Sequence, residues 1–481
     1  MEHLALRKHT SGGQSPGARA WHARLAALLV TLAVVVPLAS GCAGASSAPV
    51  RRTVPIAGAG TPAPAPAVDT AADAVILAVL TNIQANGFDA DPTLNNGLGG
   101  LWINWRYGTQ PLQTNLNGSG EPDDTSDGTS LRHDRLTDLR YLHNLWQYAH
   151  LHPGDTRFAS EISRYTAIVK AEFNPAHDDR GWLYDEFSDL YRLSGDSFYR
   201  EAARQLADYF ATALVKPGIG AVYKTSTDQS SGYYRVDLAL EVGCALIQAG
   251  TVFGQPDWTS AGQRAVQFVY DHAYVAAYHT FLSQMSNVLL PDGTANPNET
   301  IEVGKFEHTT IQGGQVRAGA IAQIILSLLH TAQVTHDPHY LTRATDLLDP
   351  LTAQSNTLGL WDARNLGYYS QVIFPGATSH APGVPKANQG KKESGRQLQM
   401  LEAFRVANTL TNDRYRQMQT LMEQVTLGKA YYPAGHGYVF EESATWQILT
   451  LHGGQLEDWV TTEAMGIALE ALFAMEMPAP W

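Results

Sequence analysis

Two kinds of apolar segment alternate along this chain. In the first, hydrophobic residues cover more than one face, as in ALEVGCALIQAG from Ala239, AGAIAQIILSLLH from Ala318 and AMGIALEALFAM from Ala464. In the second they form one stripe, as in GDSFYREAARQLADYF from Gly195, where 198, 199, 202, 203 and 206 fall on one helical face. Helices apolar all round are buried, and helices with one stripe lie outside them. Each striped segment follows a short polar turn, and the turn recurs at Gly154, Gly195, Gln255, His336 and Asn412. Every copy carries an Asp (155, 196, 257, 337 and 413) suited to accept the free N–H groups of a first helical turn.

Residues 69–86 add a sixth amphipathic helix, and all-round apolar helices are expected from near Leu131, Tyr184, Val236, Val316, Ser394 and Val460. The helix from Tyr184 is the shortest. A repeat of helix, short turn, helix is an array of hairpins. Six inner and six outer helices predict an all-α, (α/α)6 toroid in which the 69–86 helix closes the ring beside the one from Val460.

The connections between hairpins are longer and share a character. RGWLYDE, SSGYYRVD, TLGLWDARNLGYYSQV and AGHGYVFEES set Gly beside Trp or Tyr, which predicts small β-hairpins. All of them lead into inner helices, so they gather on one end of the barrel, where the positive helix dipoles favour anionic groups. That rim is expected to present Trp182, Tyr184, Tyr233, Tyr234, Trp361, Tyr368 and Trp459. Aromatics with carboxylates suit a sugar, whose flat faces stack on the rings. The plain alternative for each is that it packs a loop onto the barrel.

The ends and the charge narrow the setting. Basic residues precede the apolar run 25–38, which is followed by Ala39, Ser40, Gly41 and Cys42. The run is short for a spanning helix and reads as an export signal. Small residues before a lone Cys resemble a bacterial lipobox, which implies lipidation at Cys42. Residues 1–41 are then the signal, 42–68 an Ala/Pro-rich tether and 69–481 the barrel domain, exported and held on the extracytoplasmic face by lipid alone. A monomer is expected. The only other cysteine, Cys244, lies in an apolar run and reads as buried and inert. A formal charge of −13 argues against nucleic acid as a partner. There is no phosphate-binding Gly-rich loop and no dinucleotide fingerprint.

Carboxylates carry the remaining chemistry. An acid within an apolar helix is costly unless it is paired or faces a cavity, which singles out Asp138, Asp237 and Glu241. Glu307 and Glu463 stand near the starts of the fourth and sixth inner helices. Asp123, Asp127 and Asp134 fit part of a calcium-loop pattern, although a polar loop ending in an N-cap explains them more simply. No other metal or cofactor is expected.

The arrangement resembles the six-hairpin glycosidase superfamily. Its best local match, GWLYDEFSDLYRLSGDSFYREAARQLADYF from Gly181, resembles the second hairpin of glycoside hydrolase family 76. There a Tyr-Asp-Asp triplet opens an inner helix and its acids supply nucleophile and general acid. The resemblance implies that Tyr184, Asp185 and Glu186 hold those places, with Glu for the second Asp, and that the substrate is an oligo- or polysaccharide. Two other chemistries share the fold class: an epimerase using paired histidines, for which His133 and His308 are candidates, or a polysaccharide lyase. A glycan-binding lipoprotein without catalysis is the reading from another class.

Overall fold

Twelve α-helices among the described residues alternate between two burial patterns. The computed structural model describes residues 70–107, 133–177, 180–222, 234–282, 284–285, 305–306, 309–310, 313–375, 384–387, 389–450, 456 and 458–477. The helices are α1 (Thr70–Asn86), α2 (Arg135–Leu151), α3 (Ala159–Glu172), α4 (Trp182–Ser194), α5 (Ser197–Tyr209), α6 (Val236–Phe253), α7 (Pro256–Ala273), α8 (Ala318–Thr335), α9 (Pro338–Leu348), α10 (Gln399–Thr411), α11 (Arg416–Gln424) and α12 (Thr462–Glu476). In α6 every residue from Val236 to Gly250 is buried. In α5 the buried residues are Tyr199, Ala202, Ala203, Leu206 and Ala207, a single stripe.

Packing follows from that contrast. The even-numbered helices touch in the cyclic order α2, α4, α6, α8, α10, α12 and back to α2. Each odd-numbered helix covers the even one beside it: α3 on α2, α5 on α4, α7 on α6, α9 on α8, α11 on α10 and α1 on α12. The first helix thus packs on the last, as the pattern predicted. Helices α6 and α8 are long and apolar enough to cross a membrane, but 83% and 72% of their apolar windows are buried within the protein, so here they are core.

The turn acids divide. Asp196 and Asp337 are N-caps, accepting from the N–H groups of Phe198 and His339 at 3.0 and 2.9 Å. Asp155 instead holds a turn before α3, accepting from Arg157 N–H at 3.0 Å, and Asp257 lies inside the first turn of α7. Asp413 stands in the left-handed region (φ 64°) ahead of α11. The repeated phrase marks the turn faithfully and the cap position loosely.

Short strands cluster where inner helices begin. Tyr234–Arg235 leads into α6 and pairs with Gln284–Met285. Gly313–Arg317 leads into α8 within a three-stranded antiparallel sheet. Lys391–Glu393 precedes α10 and pairs with Glu441–Ser443. Val460–Thr461 leads into α12 and pairs with Asn104–Trp105 from the first connection, tying the end of the ring to its beginning.

Candidate active site

Each inner helix sends a stripe of polar side chains to the axis of the ring. They enclose two adjoining cavities, an upper one of about 270 Å³ at the end where the inner helices begin and a lower one of about 70 Å³ beneath it. Arg140, Trp182, Gln323 and Gln399 line both. The stripes have helical spacing: Leu136, Thr137, Arg140, His143 and Gln147 on α2, and Ala320, Gln323, Leu326 and His330 on α8. On α12 they are Glu463, Ile467 and Glu470, on α4 Trp182, Asp185, Glu186 and Asp189. Helix α6 adds Asp237 and Glu241 to the upper chamber, and α10 adds Glu402 to the lower. Residues three or four apart lie one above the other on a helix, so every stripe but that of α6 descends from one chamber into the next.

Arg140 is the hub between the chambers. Its Nε lies 2.8 Å from Glu470 Oε1 and 3.3 Å from Glu186 Oε1. Its guanidinium sits 4.1 Å from the centre of the Trp182 ring, a cation–π contact. Gly466 on α12 makes room for it, since a Cβ there would come within 2.7 Å of Arg140 Cδ. Lower down, His143 Nε2 is 2.7 Å from Asp189 Oδ2, and its Nδ1 is 3.3 Å from Glu186 Oε2. His330 Nδ1 lies 3.2 Å from Asp185 Oδ2.

These neighbours push the lower-chamber acids apart. Burial opposes ionisation of Glu186, but His143 and Arg140 overcome it and hold this carboxyl below its usual range. Asp189 is likewise buried, yet hydrogen bonds from His143 and Arg192 bring it down to about 2. Burial raises Glu402 with only partial opposition from His330. Burial also raises Glu470, and the Glu186 charge adds to it against the pull of Arg140. Carboxyls pushed toward the protonated form and carboxyls held toward the ionised form therefore stand together, the condition that separates a general acid from a base or nucleophile. In the upper chamber, partial burial opposes ionisation of Glu463, but Arg396, at 2.9 Å, overcomes it, with Arg140 and Arg180 contributing, and holds the carboxyl below its usual range.

Neither a known protein family nor a curated protein matches the sequence. Solved structures match across the barrel: a D-mannose isomerase (TM-score 0.57, 11% identity, 84% of this chain and 97% of that one). An unsaturated glucuronyl hydrolase specific for heparin follows (0.56, 13%, 84% and 95%). So does a family 76 glycoside hydrolase from a bovine Bacteroides thetaiotaomicron strain (0.54, 10%, 85% and 77%). The chain has the six-hairpin glycosidase fold.

Within this six-hairpin barrel the candidates separate. Asp185 and Glu186 line the lower chamber, and Asp237, Glu241 and Glu463 the upper. Asp138 lines neither. Adjacent helix residues point about 100° apart, and while Thr137 faces the axis, Asp138 turns behind α2, where Leu101 N–H donates to its Oδ1 at 2.9 Å. Glu307, Tyr233, Cys42, Asp123, Asp127 and His308 lie outside the described residues, as does the side chain of Tyr234. Asp134 caps α2, accepting from Leu136 N–H at 3.0 Å, and reaches the upper chamber.

Four expected rim aromatics are buried in packing instead. Tyr184 sits in the core and lines neither chamber. Trp361 and Tyr368 pack edge to face at 5.0 Å, and the Tyr368 hydroxyl donates to Leu351 O at 2.8 Å. Trp459 is buried, with Arg106 4.4 Å from its ring centre and tied to Asp458. Only Trp182 of the described set reaches the cavity. Cys244 is buried, as expected. The sequence reading named Arg140 only as a possible buried partner of the inner-helix acids, and missed His143, Asp189, His330, Glu402 and Glu470. Glu402 and Glu470 carried the same signal as Asp237, an acid inside an apolar helix.

Proposed function

We propose that the protein is a carbohydrate-active enzyme, a glycoside hydrolase acting on an oligo- or polysaccharide at the junction of the two chambers. The observation that carries this reading is the set of acids, Asp185, Glu186, Asp189, Glu402 and Glu470, that line one chamber beneath a cavity floored by Trp182. The sugar ring stacks on Trp182 in the upper chamber with its glycosidic bond toward Asp185. Asp185 has Oδ2 toward His330, and its Oδ1 is buried with no hydrogen-bond donor, facing the chamber. That oxygen attacks the anomeric carbon or activates a water, while protonated Glu402 gives its proton to the leaving oxygen. Glu186, clamped by Arg140 and His143, supplies fixed negative charge that stabilises the oxocarbenium-like transition state. Solved six-hairpin structures named as hydrolases support the reading.

The test is release of reducing sugar from a panel of plant, fungal and bacterial glycans. Release that falls at least 100-fold in Asp185→Asn, with Tm unchanged, is the expected result. Release that survives in this variant would remove Asp185 from the mechanism.

A second reading has its own observation: His143 and His330, on different inner helices, both line the lower chamber. Paired histidines suit proton transfer at the carbon next to a carbonyl, and one solved structure of this fold is named a D-mannose isomerase. Deuterium from D2O entering C2 of a free hexose, without glycan cleavage, would select that chemistry. We further propose that the enzyme is an exported monomer anchored through lipid on Cys42. Palmitate labelling lost in Cys42→Ala is the expected result.

A further inference from the structure

Behind α2, away from both chambers, His133, Asp138 and Glu172 converge. Their ligating atoms all lie within 4.8 Å of one another. His133 Nε2 is 2.8 Å from Glu172 Oε1 and 3.1 Å from Asp138 Oδ2. The ring's other nitrogen, Nδ1, lies 3.1 Å from the carbonyl oxygen of Leu101. A carbonyl can only accept, so Nδ1 carries the hydrogen. This is the bond that orients a metal-bound imidazole and leaves Nε2 as the ligand.

With both of its acids ionised the trio is short of positive charge. If Nε2 is also protonated, its single hydrogen goes to Glu172, and Asp138 Oδ2 is left without a donor. That oxygen has no hydrogen-bond partner, on a side chain that is 0% exposed. Glu172 Oε2 is likewise buried without one. With both acids ionised, two carboxylates and one imidazolium would sum to −1 within the trio, and a buried uncompensated charge is expensive, so without a further cation one acid has to hold a proton. Neutral histidine with a dication sums to zero. Two ligand atoms each about 2.1 Å from one tetrahedral ion are about 3.4 Å apart, so the 2.8 and 3.1 Å spacings here would open by a few tenths of an ångström to admit one.

The surroundings are built around the imidazole. A Cβ at Gly100 would fall 2.2 Å from His133 Cε1, so only glycine lets the strand 100–101 pass. Leu101 N–H fixes Asp138 Oδ1, which leaves Oδ2 turned to the trio. Asn95 reaches Nε2 at 3.4 Å through its side-chain amide. One carboxylate-rich, imidazole-containing set of this kind suits a borderline transition-metal dication.

We propose that His133 Nε2, Asp138 and Glu172 bind one divalent transition-metal ion, with zinc the best match. Its role is structural. It joins the start of α2, the end of α3 and the 95–101 segment, and so holds Asp134 and Arg140 at the edge of the cavity.

The experiment is metal analysis of the purified full chain, followed by chelation and titration with Zn2+, Mn2+ and Co2+. About one ion per chain is expected, with an apo form whose Tm rises by about 3 °C on zinc addition. Bound Co2+ should show visible d–d bands. Glu172→Gln keeps the shape and removes a ligand, so it should weaken binding on the order of 100-fold and abolish the cobalt bands. It also covers the case in which His133→Ala fails to fold. A full chain that binds no ion and whose Tm ignores all three metals would overturn the proposal. So would a one-to-one ratio unchanged in Glu172→Gln, which would place the ion elsewhere.

Discussion

The upper chamber is about four times the volume of the lower, and the two balance charge differently. Around the upper chamber the acids are met by arginines, as Glu463 is by Arg396, and the pair stays about 30% exposed. In the lower chamber the counter-charges are histidines and one arginine, nearly all buried, and they do not suffice for every acid. Glu186 and Asp189 are held ionised, whereas Glu402 and Glu470 are driven toward the protonated form. A solvated ion pair adjusts to what approaches it. A buried, under-compensated cluster keeps its protons where the fold puts them, and that is the property a proton-transfer site needs.

Breaking the hub should erase the difference between the chambers. Arg140→Ala leaves Glu470 without its cation and Glu186 with His143 alone, and urea denaturation should show a loss of about 3–5 kcal/mol, with activity lost as well. Glu402→Gln should separate chemistry from folding. It removes the proposed proton donor without adding charge, so kcat should fall about 10²–10⁴-fold while KM and Tm hold.

Groups outside both chambers should change stability alone. Burial raises Glu442 to about 7, above its ordinary 4.5, in spite of the hydrogen bond from Ser394 and the charge of Lys392. The folded state therefore favours the protonated form. The stability this confers is fully present below about pH 4.5 and is lost as pH rises to about 7. Its size is at most on the order of 3 kcal/mol. Glu442→Gln should flatten that part of the stability–pH curve, and stabilise the protein at pH 8 with turnover unchanged. Tyr368→Phe, which removes only the bond to Leu351 O, should cost about 1 kcal/mol by thermal denaturation and leave activity alone. A large activity loss there would return Tyr368 to the sugar site.

The barrel was legible because helical burial is written with a period. The run at Val236 and the stripe at Gly195 declare inner and outer positions without reference to any other part of the chain. The acids were half legible. Asp237 and Glu241 stood out as charges in an apolar helix, and both reach the cavity. Asp138 gave the same signal and faces the other way. The rule detects a buried carboxylate that needs a partner, and it is silent about which side of the helix the partner occupies. Aromatics misled for a related reason. Gly near Trp or Tyr marks a tight connection, and in Trp361 and Tyr368 the rings close that connection on itself, while Trp459 packs with Arg106 of the first connection.

The alternation of all-round and striped segments, and the recurring turn between them, determined by themselves that this chain forms six helical hairpins in a ring. Those features depend on residues three and four apart, and a helix carries them wherever it lies. The tertiary structure decided which polar residues meet. Arg140, Glu186 and Glu470 come from three helices, and His133, Asp138 and Glu172 from two helical segments and their flanks. Such meetings depend on the rotation of each helix about its own axis, which the packing of neighbours sets and local periodicity does not.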